Sequence, residues 1–362
     1  MPKVSVCLPC RNAAATLPAA LDSLLGQTLA DFEVLAVDDG STDDTWRVLT
    51  DYARRDPRIR PMRQPHTGVA QAGNAAVEAA RAPYVARMDA DDISLPRRLE
   101  VQAALLDADP GLGLVSGLVR FGGSRELRQG YAVHVDWLNT LKTPEDISLH
   151  RFVESPLCNP SVMFRRELFE ELGGARECTR SRPFPEDYEM WLRWLERGVR
   201  MGKAQEEVLV WNDPPTRLTR THADYSLAAF ADIRAQYLWR WLAWENPNHP
   251  AVWVWGAGRT SRQRLAPLVD LGLEIEAYID IDPAKIGQRV HGTPVLSRDS
   301  LPAPAQEPCP PEGEALGTPD TPETTPPPFI LVNVGSRGAR EEIRAWLESK
   351  GWVLGEGFML VG

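Results

Sequence analysis

The stretch Arg87-Met88-Asp89-Ala90-Asp91-Asp92-Ile93-Ser94-Leu95-Pro96 decides how this chain is read. The run from Tyr84 to Met88 reads as a buried strand and leads directly into Asp89, Asp91 and Asp92. Three carboxylates within four positions repel one another and resist desolvation unless a cation sits among them. An all-oxygen cluster suits a hard divalent ion, Mg2+ or Mn2+, and such ions commonly also hold substrate phosphates. The competing reading is a solvated acidic turn, since Asp is a frequent turn residue. The flanking sequence has to choose between them.

Upstream, strands and helices alternate. Val4 to Leu8 is β-rich and stops at Pro9-Cys10-Arg11-Asn12. Thr16 to Leu29 has helical spacing, with Leu17, Leu21, Leu24 and Leu25 on one side. Phe32 to Val37 is a second strand that ends in Asp38-Asp39-Gly40-Ser41. Asp44 to Arg55 reads as a helix, Ile59 to Arg63 as a strand and Gly68 to Arg81 as an Ala-rich helix, before the strand that meets Asp89. This order predicts a mainly parallel α/β sheet with right-handed crossovers, whose ligands gather at the carboxyl ends of the strands. Pro9 to Asn12, Asp38-Asp39 and Asp89 to Asp92 all fall at such ends, so their polarity has one common explanation.

The bulk composition agrees with a globular protein of two or three domains: 362 residues, 43% hydrophobic and 25% charged. A formal charge of −10 argues against a nucleic-acid partner, and an anionic substrate would need local arginines or a metal. The five cysteines include one C-x-x-C, Cys7 and Cys10, inside an apolar run with no second pair, which disfavours zinc or redox use. The thiols, the lack of a signal peptide and the lack of an apolar run near ~18 residues fit a cytoplasmic protein.

Several motifs together resemble family-2 inverting glycosyltransferases of the GT-A fold. Val4 to Asn12 (VSVCLPCRN), Leu24 to Thr28 (LLGQT) and Phe32 to Thr45 (FEVLAVDDGSTDDT) are similar to the opening of that family, and Tyr84 to Leu99 (YVARMDADDISLPRRL) to its metal-binding aspartate motif. The resemblance covers roughly residues 2 to 225. It implies that Asp39 hydrogen-bonds the nucleotide base, that Pro9 and Arg11 line the base pocket, that Asp91 binds the cation, and that Asp89 is shared between ribose and metal. Asp92 is left between the cluster and a cap on the turn into the next helix. For Asp38, a turn network with Ser41 and Thr42 stands beside any ligand role.

Further along, a helix from Pro96 to Leu106 and a strand from Leu112 to Arg120 precede an irregular polar stretch, 121 to 150. Ser155 to Arg166 resembles the family's strand below the active site, with Asn159 where many relatives have His. Phe184 to Arg193 (FPEDYEMWLR) resembles its base motif, which makes Asp187 the expected proton acceptor and Glu186 its neighbour. An inverting transfer needs such a carboxylate to deprotonate the acceptor hydroxyl. Val208 to Trp211 reads as a closing strand, and Asn212 to Arg220 as a loop over the donor, where Arg217 and Arg220 would meet the diphosphate. Two further departures from the pattern are Gly73, where many relatives have Arg, and Pro214, where many have His; His222 comes later.

Ser226 to Glu245 is an aromatic-rich helix, suited to packing between domains or to a membrane interface, and Asn246 to Pro250 a linker. From 251 to 362 a second, small Rossmann-like α/β domain is expected. The strand Ala251 to Trp255 meets the glycine turn Gly256-Ala257-Gly258, with Ser261 in place of a third glycine, then a helix to Leu271 and a strand Glu274 to Ile279 that ends at Asp280. Residues 302–328 hold ten prolines, five acids and no Lys or Arg, the composition of a disordered loop. Phe329 to Gly335 and Arg337 to Ser349 resume as strand and helix. Nucleotide binding and homo-oligomeric assembly are both open to this domain.

The expected reaction is metal-dependent transfer, with inversion, from a nucleoside diphosphate-sugar of UDP or dTDP type to a hydroxyl of a saccharide or lipid-linked saccharide. A nucleotidyltransferase and a non-catalytic nucleotide-sugar scaffold are the rivals.

Overall fold

A computed structural model describes residues 1–178, 183–214, 217, 222–304, 326–335 and 338–362. They form two compact units, Met1–Arg151 with Ser155–Phe230, and Phe152–Glu154 with Ala231–Gly362.

The first unit is built on β1 (Val4–Cys10), β2 (Phe32–Asp39), β3 (Ile59–Gln64) and β4 (Tyr84–Arg87), with β2–β3, β1–β2 and β1–β4 all parallel. Every residue of β1 and β2 is buried, as expected for strands covered on both faces. Alternate side chains serve opposite layers. Val4, Val6 and Leu8 join helices α1 (Leu17–Leu25), α2 (Thr45–Arg55) and α4 (Arg98–Ala108) in one core. Cys7, Leu35 and Val85 join α3 (Val69–Glu78) and α8 (Glu186–Glu196) in the other. The second core is anchored by Trp191 and Trp194, edge to face at 5.8 Å.

Beyond β4 the sheet becomes mixed, in the order β3-β2-β1-β4-β7-β6-β8-β5. Here β5 is Ile93–Ser94, β6 Leu112–Phe121, β7 Met163–Arg165 and β8 Arg200–Trp211. Strand β8 is longer than its apolar end, Val208 to Trp211, because exposed Gln205, Glu206 and Glu207 interrupt the hydrophobic run. The stretch 121–150 is not irregular: it carries α5 (Gln129–Leu138) and α6 (Pro144–His150). The second starts with a capping box from Thr143 to Asp146, a signal legible in the sequence. Ser155 to Arg166 forms a 3-10 turn at Asn159–Ser161, where Pro160 cannot donate to a ladder, followed by β7 and then α7 (Arg166–Leu172).

The second unit takes most of α9 (Leu227–Glu245), where Ile233, Tyr237, Leu238 and Leu242 are buried and Trp244 is exposed. Its six-stranded sheet runs β11-β12-β10-β9-β13-β14. The central parallel strands are β9 (Ala251–Trp255), β10 (Glu274–Asp280) and β13 (Ile330–Val332). They are flanked by β12 (Thr293–Ser297) and β14 (Phe358–Leu360), with a short antiparallel β11 (Arg289–Val290) at one edge. Helices α10 (Arg259–Asp270) and α11 (Ala339–Ser349) complete it. Most of the expected proline-rich loop, 305–325, lies outside the described residues.

Candidate active site

The carboxyl ends of β1, β2 and β4 lie side by side because the three strands are adjacent and parallel. Just past β4, ligand oxygens of Asp89, Asp91 and Asp92 all come within 4.8 Å of one another. Asp89 and Asp91 are partly open, whereas Asp92 is 1% exposed. Burial, and then the charge of Asp91, push the Asp89 carboxyl up to about 6, against the pull of Arg87 and Arg217. Asp91 is raised by burial, and Asp92 well above the usual range by burial and by its two acidic neighbours. Three ionised carboxylates so close are unstable alone, and a cation among them removes the conflict.

Asp92 does not cap α4, whose N-cap is Arg97. Its Oδ1 instead accepts the Asn212 amide at 2.8 Å, while Asn212 Nδ2 donates to the Asp91 carbonyl at 2.6 Å. Its Oδ2 is buried with no hydrogen-bond partner. The short β5–β8 pairing, Ile93 with Val210 and Ser94 with Leu209, holds the acidic turn against this strand end. An orphaned buried carboxylate oxygen and an all-oxygen donor set fit a hard divalent ion, with Asp91 and Asp89 as the open ligands and Asp92 as the buried one.

At the start of α8 the two acids differ. Glu186 is 5% exposed and its Oε2 accepts the Tyr225 hydroxyl at 2.6 Å. Burial, then the Asp187 charge, push its carboxyl up to about 7 despite that bond. Asp187 is partly open, with Oδ1 accepting the Tyr188 amide at 2.7 Å. Burial raises its carboxyl, opposed by that amide and by Arg87 and Arg217.

Of the expected nucleotide contacts, Pro9 is buried in β1 and Arg11 is exposed just beyond it. Asp39 is 3% exposed, and its oxygens already accept from Gln64, His66, Thr67 and Gly68. Burial would raise the Asp39 carboxyl, but these donors, led by the Thr67 amide, lower it. Asp38 accepts the Ser41 amide at 3.0 Å and pairs with Arg63, whereas Thr42, also expected in this network, donates instead to Asn12 Oδ1. The Arg217 guanidinium lies over the rings of both Trp211 and Tyr131, 4.3 and 4.6 Å from their centroids, and its charge reaches Asp89, Asp91 and Asp92. Arg220 lies outside the described residues. His222 is exposed and faces Asp224. In the second unit Asp280 is held by the Ala257 and Asp282 amides and by Lys285.

Arg87, Tyr131, Trp211, Asn212 and Tyr225 were not singled out from the sequence. Only Arg87 had a signal there, a charge at the end of a buried strand.

The fold is an α/β sheet with an acidic cluster at its carboxyl edge, and comparison with known proteins gives the family. The model of glycosyl transferase family 2 matches residues 5–173. EpsE of Bacillus subtilis, assigned by its name to the glycosyltransferases, is 31% identical over 62% of this chain and 78% of its own length. Chondroitin synthase of Pasteurella multocida is 40% identical over 28% of this chain, and this chain spans only 10% of it. A mannosyltransferase structure from Pyrobaculum calidifontis, in complex with GDP-Man and Mn2+, is 24% identical, covering 66% of this chain and 62% of its own, with a TM-score of 0.46. The chain belongs to glycosyl transferase family 2 and is a glycosyltransferase. Among the described residues, no helix is long and apolar enough to cross a membrane.

Proposed function

We propose that this glycosyltransferase transfers a sugar, with inversion, from a nucleoside diphosphate-sugar of UDP or dTDP type to a saccharide or lipid-linked saccharide hydroxyl in glycan assembly. The observation that carries the reading is the pairing of the Asp89–Asp91–Asp92 cluster with a separate, partly open carboxylate at Asp187. A nucleotidyltransferase has no use for the second carboxylate.

Asp91 and Asp89, with Asp92 beneath them, would hold Mn2+ or Mg2+, which when bound offsets charge growing on the leaving diphosphate. Arg217 and Arg220 would supply guanidinium charge for the same phosphates. Pro9 and Arg11 border the base, and Asp39 reaches it only by giving up one of its present donors, of which half-exposed His66 is the most easily displaced. Asp187 takes the acceptor proton as the hydroxyl oxygen attacks the anomeric carbon. The carbon–oxygen bond to the diphosphate breaks, and its electron pair leaves with the diphosphate. Glu186, held by Tyr225, stays behind as the buried support.

The test is to follow nucleoside diphosphate release and the anomeric proton of the product by NMR, over a panel of UDP- and dTDP-sugars and saccharide acceptors. A product anomer opposite to that of the donor, lost in Asp187→Asn, supports the reading. A retained anomer, or donor bound without turnover on any acceptor, contradicts it.

A further inference from the structure

Arg87 ends β4 and is only 4% exposed. Its Nε is sealed from solvent with no acceptor, and no described residue accepts a side-chain hydrogen bond from it or forms an ion pair with it. A buried guanidinium in that state is costly and calls for a partner.

The room it occupies comes from α3. A β-carbon added at Gly73 would lie 3.1 Å from both Cζ and Nη2 of Arg87, and closer still to Nη1. Gly73 sits inside a helix, where glycine is disfavoured, at the place where the guanidinium passes. From there the charge of Arg87 acts on Asp89 after β4 and on Glu186 and Asp187 at the start of α8. Its register neighbour on β1, Cys7, is a buried thiol whose pKa burial pushes up to about 12, so it supplies no counter-charge. The guanidinium therefore lies beside α3 at the end of β4, carries its charge to the acids after β4 and at the start of α8, and keeps Nε unbonded.

We propose that Arg87 is a donor-binding residue whose guanidinium takes an anionic oxygen of the nucleotide-sugar diphosphate, and that Gly73 is the residue that admits it. This rests on the donor reading above. A guanidinium suits phosphate because its planar fork donates two parallel bonds. The rival role is an internal counter-charge for Glu186 and Asp187, which would change folding stability without distinguishing a nucleoside from its diphosphate.

The experiment is calorimetric titration, with Mn2+, of whichever of UDP and dTDP the wild type binds, beside ligand-observed NMR of the parent nucleoside. Wild type is compared with Arg87→Met, Arg87→Lys and Gly73→Ala, each with its thermal midpoint. Arg87→Met should weaken the diphosphate on the order of tenfold to a hundredfold and leave the nucleoside within about twofold. Arg87→Lys should recover part of the loss. Gly73→Ala keeps the arginine but crowds its guanidinium, so it should show the same selective loss without a lower midpoint. Diphosphate binding unchanged in Arg87→Met and Gly73→Ala overturns the proposal, and so does an equal loss of nucleoside and diphosphate. If Arg87→Met does not fold, Gly73→Ala decides by the same criterion. A wild type that binds neither diphosphate overturns the donor reading and this proposal together, whereas wild-type binding with unaffected variants overturns this proposal alone.

Discussion

Tyr225 donates its hydroxyl to Glu186 at 2.6 Å, and so separates two adjacent acids into a buried partner, Glu186, and an open one, Asp187. Replacing Asp187 by Asn should therefore lower kcat by about two to four orders of magnitude, the usual contribution of a positioned base, with donor KM little changed. Glu186→Gln should cost far less. Steady-state kinetics on the two variants checks this, and equal losses would place the proton acceptor elsewhere.

The same pair sets a pH dependence of stability. The folded Glu186 carboxyl is raised from 4.5 to about 7, by burial first and Asp187 next. The folded state thus favours the protonated form. Its advantage is whole below the unfolded value near 4.5 and is lost as pH rises through about 7. Glu186→Gln removes the ionisation, so thermal unfolding at pH 8 should shift upward by several degrees relative to wild type, with little shift at pH 4.5.

Cation removal should be visible without any assay of transfer. Mn2+ bound only by the folded state raises the midpoint with concentration. Asp91→Asn relieves repulsion from Asp89, so its metal-free midpoint should exceed that of wild type while the Mn2+ increment shrinks. Differential scanning fluorimetry in EDTA and in Mn2+ reads both. An undiminished increment in the variant would move the metal off Asp91.

Away from the site, Glu33 accepts from Ser5, Arg60 and Arg81 while 2% exposed. Burial would raise its carboxyl, but Arg81 foremost, then Ser5 and Arg60, bring it down to about 2. A lowered folded value gives stability that is present above the unfolded value of 4.5 and is lost as pH falls toward 2. Glu33→Ala leaves the buried Ser5 hydroxyl without its acceptor, while the exposed Arg60 and Arg81 guanidinium groups rehydrate, so it should cost about 1 to 3 kcal/mol at neutral pH. Urea unfolding at pH 7 and pH 3 should show the penalty narrowing at the lower pH.

What was legible in the chain followed from local chemistry. The continuous apolar runs of β1 and β2 and the polar residues at their ends located the sheet edge, since parallel strands are buried on both faces. Asp91, Asp89 and Asp187 were marked by clustering or by a helix start. Tyr225 was not, because its bond to Glu186 spans 39 residues. The role of Asp92 was hidden for the same reason, as its amide partner Asn212 is 120 residues away. Arg87 was read as part of a strand because strand patterning has no term for a guanidinium whose space is made by a glycine on another element. The helices at 129–138 and 144–150 were missed because their polar faces outweighed a few buried anchors, Ala132, Val135, Leu138 and Ile147.

The central claim is that the acidic edge binds a nucleoside diphosphate through a divalent cation. Calorimetric titration of nucleoside diphosphates into wild type and Asp91→Ala, each with Mn2+ and with EDTA, tests it most directly. UDP or dTDP should bind wild type with Mn2+, weaken at least tenfold in EDTA, and lose the metal effect in Asp91→Ala. Equal affinity with Mn2+ and EDTA, or a full metal effect in Asp91→Ala, would contradict the account.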